Sequence, residues 1–387
     1  MTPLPHGFSC HVANIGVKDD TDDLVVIATE RPVAAAGMFT TSRFAGPSVT
    51  LSREHLADHR ARAVVVISKN ANVANGARGI ADARELSERV AQRLGCDPTD
   101  VVVASTGVIG RPYPMDDIRA GLDAIPTALR GATADADRAA RGIMTTDTVP
   151  KTATATIGAG PARVVGIAKG VGMIEPDMAT LITVLLTDAE VPADDLDLVF
   201  RRVIDRTFNC VSIDTDTSTS DTAVVLASGA AGPVDLEQFE VALHEVALSL
   251  TKQVARDGEG AETLIEVTVD AARDPEQARS VAKAIVNSPL VKTAVHGADP
   301  NWGRVAMAIG KCSDQTDIDP DQVVIRFGPT EVYPRQLAES ELAALSDYMA
   351  GDEVLIHVEL GTGTSSATVW GCDLTDGYIR INADYTT

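Results

Sequence analysis

Short β-branched strands that alternate with helical periodicities from end to end predict an α/β or α+β protein built on layered sheets. The hydrophobic content, 45% of 387 residues, is ample for a sizeable core. Aromatic residues make up only 4%, so Val, Leu, Ile and Ala must fill most of the interior. The length allows roughly two or three domains.

Strand candidates are residues 24–28, 63–68, 101–105, 164–168 and 181–187, then 222–227, 263–270, 323–327, 353–359 and 367–374. Each is short and bounded by polar residues or glycine. Helix candidates fall between them. Ile80, Ala83, Leu86, Val90 and Leu94 recur at three- and four-residue steps, and Gly95 follows as a C-terminal stop. Residues 196–208, 236–254, 275–286 and 336–349 also carry helical patterns. Gly229-Ala230-Ala231-Gly232-Pro233 is the most linker-like stretch, and it is too short to separate domains. Asp257-Gly258-Glu259-Gly260-Ala261 reads as a turn between a helix and a strand. A C-terminal domain is expected to begin shortly after it, dividing the chain into 1–262 and 263–387.

A formal charge of −22 argues against nucleic-acid partners, which reward clustered Lys and Arg, and is read as a solubility feature. Cys10, Cys96, Cys210, Cys312 and Cys372 lie far apart without CxxC spacing, which fits a reduced cytoplasm better than a disulfide framework. Residues 1–7 carry neither a basic stretch nor an apolar core of a signal peptide, and no apolar run approaches the ~20 residues that span a bilayer. A soluble, cytoplasmic protein without a membrane partner is expected.

The common chemical signatures are missing. There is no phosphate-binding GxxxxGK[ST], no GxGxxG after a strand and no GxSxG elbow, and His244-Glu245 lacks the second histidine of HExxH. Seven scattered histidines form no metal-like cluster. Asp214 to Asp221 is spelled like a calcium loop but lacks the glycine and terminal Glu, so a hydrogen-bonded polar turn into the Thr222 strand is preferred. Neither a metal nor a cofactor is expected.

What remains is a set of hydroxyl- and glycine-rich segments. Ser105-Thr106-Gly107-Val108-Ile109-Gly110 follows an apolar strand, and a Thr-Gly pair there offers a hydroxyl and an N–H to a developing oxyanion. One such donor is commonly worth about 3–4 kcal/mol of barrier. The bland alternative is a turn in which Gly107 takes positive φ, and spacing alone favours it. Met144-Thr145-Thr146-Asp147-Thr148 is more often a capping turn than a ligand site. Lys169, among glycines, suits a carboxylate or plain solvent equally well. Glu259 would receive an ammonium or be one exposed acid among many. The tail, Ile379 to Thr387, reads as frayed by default.

Thr180 stands where the run Lys169-Gly170-Val171-Gly172-Met173-Ile174-Glu175-Pro176-Asp177-Met178-Ala179 meets a strand-like stretch. Were the Ala179–Thr180 bond cut, the freed α-amine of Thr180 would serve as base for its own hydroxyl, activating a poor nucleophile without a histidine.

Taken together, that run resembles the processing site of the ornithine acetyltransferase (glutamate N-acetyltransferase) family. Residues 105–110, 144–148, 257–261, Asp299-Pro300-Asn301-Trp302-Gly303-Arg304 and 381–387 resemble the same family in order, and residues 70–76 extend the likeness toward the N-terminus. The resemblance implies stacked sheets between helices, laid out like N-terminal-nucleophile hydrolases but connected differently. It implies autocatalytic cleavage at Ala179–Thr180 into α (1–179) and β (180–387) chains, assembled as two α and two β chains. It makes Thr180 the nucleophile, Thr106 and Gly107 the oxyanion hole, and Thr146, Lys169, Thr180, Glu259, Asn382 and Thr387 substrate-binding positions. The implied reaction is ping-pong transfer of acetyl from N2-acetylornithine to glutamate in arginine biosynthesis. Thr215 stands where arginine-pathway members would carry Gly, and Ser220 where they would carry Asn; residues 111–115 look closer to variants from clavulanic acid gene clusters. The pathway and the use of acetyl-CoA therefore stay open. Two other readings compete: a self-processing amidase or aminopeptidase that passes the acyl group to water, and an uncut amino-acid-binding protein clamping its ligand with Lys169 and Glu259.

Overall fold

The computed structural model describes residues 2–18, 20–129, 135–175 and 181–384. Ala179, Thr180 and Thr387 lie outside them. The chain opens with strand β1 (Ser9–Ala13), the long β2 (Leu24–Phe39), helix α1 (Pro47–His55), β3 (Arg60–Ile67) and α2 (Gly76–Leu94). There follow β4 (Val101–Ser105), α3 (Met115–Asp123), α4 (Ala136–Gly142), β5 (Lys151–Thr156), β6 (Arg163–Lys169), β7 (Ile182–Glu190) and α5 (Ala193–Arg206). Next come β8 (Thr222–Pro233), α6 (Leu236–Arg256), β9 (Leu264–Ala272), α7 (Pro275–Val286), α8 (Pro289–His296) and α9 (Trp302–Gly310). The chain ends with β10 (Val324–Phe327), β11 (Thr330–Tyr333), α10 (Glu339–Met349), β12 (Glu353–Glu359), β13 (Ser365–Cys372) and α11 (Asp376–Asp384). No helix among the described residues is long and apolar enough to cross a membrane.

Contacts divide the chain into two units. The first comprises the described residues within 1–170, 176–209 and 217–250, and the second those within 171–175, 210–216 and 251–387.

In the first unit the strand order is β4-β3-β2-β8-β7-β6-β5, with β1 on β2. Strand β2 belongs to two layers. Its first half pairs with β1 and β3, the register shifts between Ala28 and Val33, and its second half, Ala34–Phe39, pairs with β8. Alternation then assigns the faces. Val25, Ile27, Val64, Val66, Val102 and Ala104 join Ile167, Val184, Leu186, Val224 and Leu226 in one buried cluster. Leu24, Val26, Val65, Val101 and Val103 face the other way, onto Leu86 and Val90 of α2 and Ile118 and Leu122 of α3. On the opposite face, α6 brings Val246 and Leu250 against β6 at Gly166. This is the layered α/β arrangement expected, with stacked sheets between helices.

The second unit holds a mixed sheet, β11-β10-β12-β9-β13, in which β9 and β12 run parallel. Helix α7 lies on β9 and β13. Asp274 caps it by accepting from the Gln277 N–H, with Pro275 in the first turn.

Two expectations need correction. Gly229–Pro233 is not a linker: it ends β8, where Gly232 and Pro233 pair with Ala189 and Glu190. Positive φ at Gly229 (74°) and Gly232 (84°) lets the strand absorb an irregularity there. Ile80, counted on the buried face of α2, is exposed, whereas Ala83, Leu86, Val90 and Leu94 are buried.

A Cβ placed on Gly166 would lie 2.6–2.7 Å from the side chains of Leu185, Leu250 and Val246. Gly166→Ala is expected to cost about 1–3 kcal/mol by overpacking. The check is a lower urea midpoint at unchanged m-value.

Candidate active site

Strand β4 ends at Ser105, whose hydroxyl bonds Tyr113 OH and lies 2.7 Å from Ser48 Oγ. The next residues leave the sheet in a turn built against the end of β3. The Thr106 N–H donates to Ile67 O at 3.0 Å, and the Val108 N–H to Lys69 O at 3.4 Å. Between them Gly107 takes φ 129°, and a Cβ there would sit 2.2 Å from the carbonyl carbon of Lys69. Only glycine fits, on conformation and on space alike. Thr106 itself is nearly buried, and Lys169 Nζ, at the end of β6, donates to its Oγ1 at 3.3 Å. Two of the residues singled out in sequence are therefore in contact.

Lys169 is held where it is by Asp147. The Asp147 carboxylate accepts from Lys151 Nζ at 2.8 Å and from the Gly170 N–H at 2.7 Å through one oxygen, and from the Thr145 N–H at 3.0 Å through the other. Both side chains of the Asp147–Lys151 pair are fully buried. Burial opposes ionisation of Asp147, but the charges of Lys169 and Lys151 and the donated hydrogen bonds prevail and hold its pKa at about 2. Thr146 rides on this loop and is exposed.

A second carboxyl reaches the opposite state. Asp221, next to the start of β8, is pushed well above the usual carboxylate range by burial, against hydrogen bonds from Ser218 and Thr40 and the charge of Lys169. Its Oδ2 is buried with no hydrogen-bond partner among the described residues. Leu181 is fixed beside it: the Thr222 N–H donates to Leu181 O at 2.9 Å.

Glu259 and Asn382 belong to the second unit. Glu259 sits on the expected turn between α6 and β9, its N–H bonded to Val171 O at 2.8 Å. A Cβ on Gly172 would come within 2.7 Å of the Glu259 carboxylate. The tail, frayed by default but drawn into the active site by the family resemblance, is a helix as far as Asp384. Helix α11 starts against this turn, so closely that a Cβ on Gly260 would lie 2.3 Å from the Tyr378 nitrogen. One turn later Asn382 Nδ2 donates to Glu259 Oε2 at 2.9 Å. Burial, then the neighbouring charges of Asp214, Glu259 and Asp216, push the Tyr378 hydroxyl up to about 12.

Sequence reasoning singled out Thr106, Gly107, Lys169, Glu259 and Asn382, and passed over Asp147, Lys151 and Asp221 as individuals. A signal was present in Asp147 and Lys151, opposite charges four residues apart flanking Pro150. Thr215, where Gly was expected in arginine-pathway members, takes φ 69°, a conformation that favours glycine.

Asp147→Asn is expected to destabilise the protein by about 3–5 kcal/mol, because it leaves a buried ammonium without its counter-charge. The folded pKa is lowered from 3.8 to about 2, so the stabilisation is whole above 3.8 and lost as pH falls through about 2. Urea unfolding of both proteins should show a gap that is full at neutral pH and closes across that acid window.

The sequence profile of the ArgJ family matches residues 9–387. A Nostoc sp. protein named arginine biosynthesis bifunctional protein ArgJ 2 is 58% identical over 383 residues, 99% of this chain and 98% of its own. A Streptomyces clavuligerus protein named glutamate N-acetyltransferase Oat2 is 56% identical over 391 residues, 99% and 98% of the two chains. A Rhodococcoides fascians protein named arginine biosynthesis bifunctional protein ArgJ is 52% identical over 386 residues, 99% and 94%. With a family profile spanning nearly its whole length, this chain belongs to the ArgJ family.

Proposed function

We propose that the chain is a glutamate N-acetyltransferase that cuts itself at Ala179–Thr180 and then moves an acetyl group from N2-acetylornithine to glutamate. The observation that carries the reading is the full-length likeness to relatives bearing that name. The contact of Lys169 with Thr106 at the Gly107 turn gives it a chemical setting.

In the first half-reaction the Thr180 hydroxyl attacks the acetyl carbonyl, and its α-amine accepts the proton. An unperturbed α-amine, with a pKa of about 7.7–8.0, suits that task at neutral pH. The tetrahedral oxyanion receives hydrogen bonds from the Thr106 hydroxyl and the Gly107 N–H. The C–N bond then breaks, the proton passes to the departing amine of ornithine, and acetyl stays on Thr180 as an ester. In the second half the amine of glutamate attacks that ester, and the alkoxide of Thr180 leaves with its proton restored. Lys169 meets the substrate carboxylate and Glu259 the ornithine side-chain ammonium, with Thr146, Asn382 and Thr387 completing the substrate contacts. We assign the nucleophile to a part ending at residue 262 and a smaller C-terminal part to 263–387, in a cytoplasmic assembly of two α and two β chains.

The test is the denatured intact mass of wild type beside Thr180→Ala. Wild type is expected as two fragments divided at Ala179–Thr180, and the variant as one full-length chain. Incubation with N2-acetylornithine should leave acetyl on the β chain, and added glutamate should yield N-acetylglutamate. Acetate as the sole acyl product would make the protein an amidase, and an uncut wild type would make it a binding protein. Thr106→Ala is expected to lower kcat about 100- to 1,000-fold, as removal of one oxyanion donor does, with a smaller change in KM.

A further inference from the structure

The arm that leads toward Ala179 is gripped by residues lying well beyond Thr180 in sequence. Asp214 accepts two consecutive backbone N–H groups from it, Met173 at 2.6 Å and Ile174 at 2.8 Å, one on each carboxylate oxygen. Charge-assisted bonds of this forked kind fix direction as well as distance. The backbone continues the grip: the Ile213 N–H donates to Ile174 O at 2.7 Å, and the Glu175 N–H to Asp216 O at 3.0 Å. Glu175 then closes the arm with its own carboxylate, which accepts from Asn287 Nδ2 at 2.7 Å and Ser212 Oγ at 3.2 Å and lies 3.7 Å from Lys283 Nζ.

Two non-glycine residues in this contact take left-handed backbone, Met173 (φ 55°) on the arm and Thr215 (φ 69°) on the segment that holds it. Such conformations cost free energy and persist only where the surroundings over-determine them. Asp214 lies between these two residues in the contact: its carboxylate bonds the Met173 N–H, and Thr215 follows it in the chain. Glu175 lies four residues before Ala179. On the other side of Thr180, Leu181 is fixed by its bond from the Thr222 N–H.

We propose that Asp214 and Glu175 are positioning residues for the self-cleavage of Ala179–Thr180, fixing the backbone of residues 173–175 upstream of the bond. This inference rests on the cleavage reading above. In that step the Thr180 hydroxyl adds to the Ala179 carbonyl, the amide becomes an ester as the nitrogen leaves with the proton, and water hydrolyses the ester. Attack by a neighbouring hydroxyl depends on near-attack geometry, and a flank free to move loses it.

The experiment follows the fraction cut against time by denatured intact mass after pulsed expression. It compares wild type, Asp214→Asn, Glu175→Ala and Glu175→Gln, and assays acetyl transfer per cut β chain in each. In Asp214→Asn one oxygen becomes an NH2 that opposes a backbone donor. Cutting in Asp214→Asn and Glu175→Ala is expected to slow at least ~10-fold, the factor that about 1.4 kcal/mol of lost positioning gives. Glu175→Gln, which keeps an acceptor for Asn287 and Ser212, should recover most of the rate. Transfer per cut chain should stay within about twofold of wild type, since positioning for cleavage and transition-state binding of substrate are separate terms. Cutting at the wild-type rate in both slow candidates would overturn the proposal. So would a loss of transfer per cut chain equal to the loss of cutting, the mark of general misfolding. A wild type that stays uncut would instead overturn the cleavage reading, and this one with it.

Discussion

The buried pair of Asp147 and Lys151 is the contact on which the first unit's candidate site depends. One carboxylate joins the start of β5, the end of β6 and the loop before them, through Lys151, the Gly170 N–H and the Thr145 N–H. Gly170 follows Lys169 in the chain, so the bond to its N–H also sets where the Lys169 ammonium emerges beside Thr106. A buried ion pair is a poor source of net stability, because desolvating two charges cancels much of their attraction. Its value here is directional. It leaves one strand end a single way to meet another.

Asp147 and Asp221 show how narrowly such balances are struck. Both are buried and both feel Lys169, yet their carboxyls shift in opposite directions. Asp147 has a second lysine in contact and two backbone N–H donors, enough to outweigh desolvation. Asp221 has two hydroxyl neighbours and the charge of Lys169, and desolvation wins. Two acids that both feel Lys169 thus shift in opposite directions because one of them also has Lys151 and backbone donors.

Elements whose sequence is locally decisive were legible. Strand β4 matches its expected residues because Val101-Val102-Val103-Ala104 has no other way to be buried on both faces. Helix α7 also matches, since Asp274 and Pro275 mark its start in the chain itself. Strand β2 was read only to residue 28. Its charged Glu30-Arg31 corner and the Ala-rich run after it look like a loop until β8 is available to pair with them. The same applies to β5, Lys151-Thr152-Ala153-Thr154-Ala155-Thr156, a strand chiefly by virtue of β6. In the site, Gly107 and Lys169 were visible from residue type and position. Asp214 was not, because its partners lie about 40 residues away, and Asp147 showed only its local pairing with Lys151, not the Gly170 N–H 23 residues on that ties it to the site.

The strand order β4-β3-β2-β8-β7-β6-β5 has a consequence for a chain cut after residue 179. Strands β7 and β8 come from the downstream piece, yet they are laid side by side between β2 and β6 of the upstream piece, with ladder bonds along both seams. The pieces are woven, and neither can be drawn out without unravelling the sheet. A nick there would leave the strand pairing untouched. The two polypeptides would exist in strict one-to-one ratio, could not be exchanged between molecules, and would have no folded life apart; their separation would amount to denaturation.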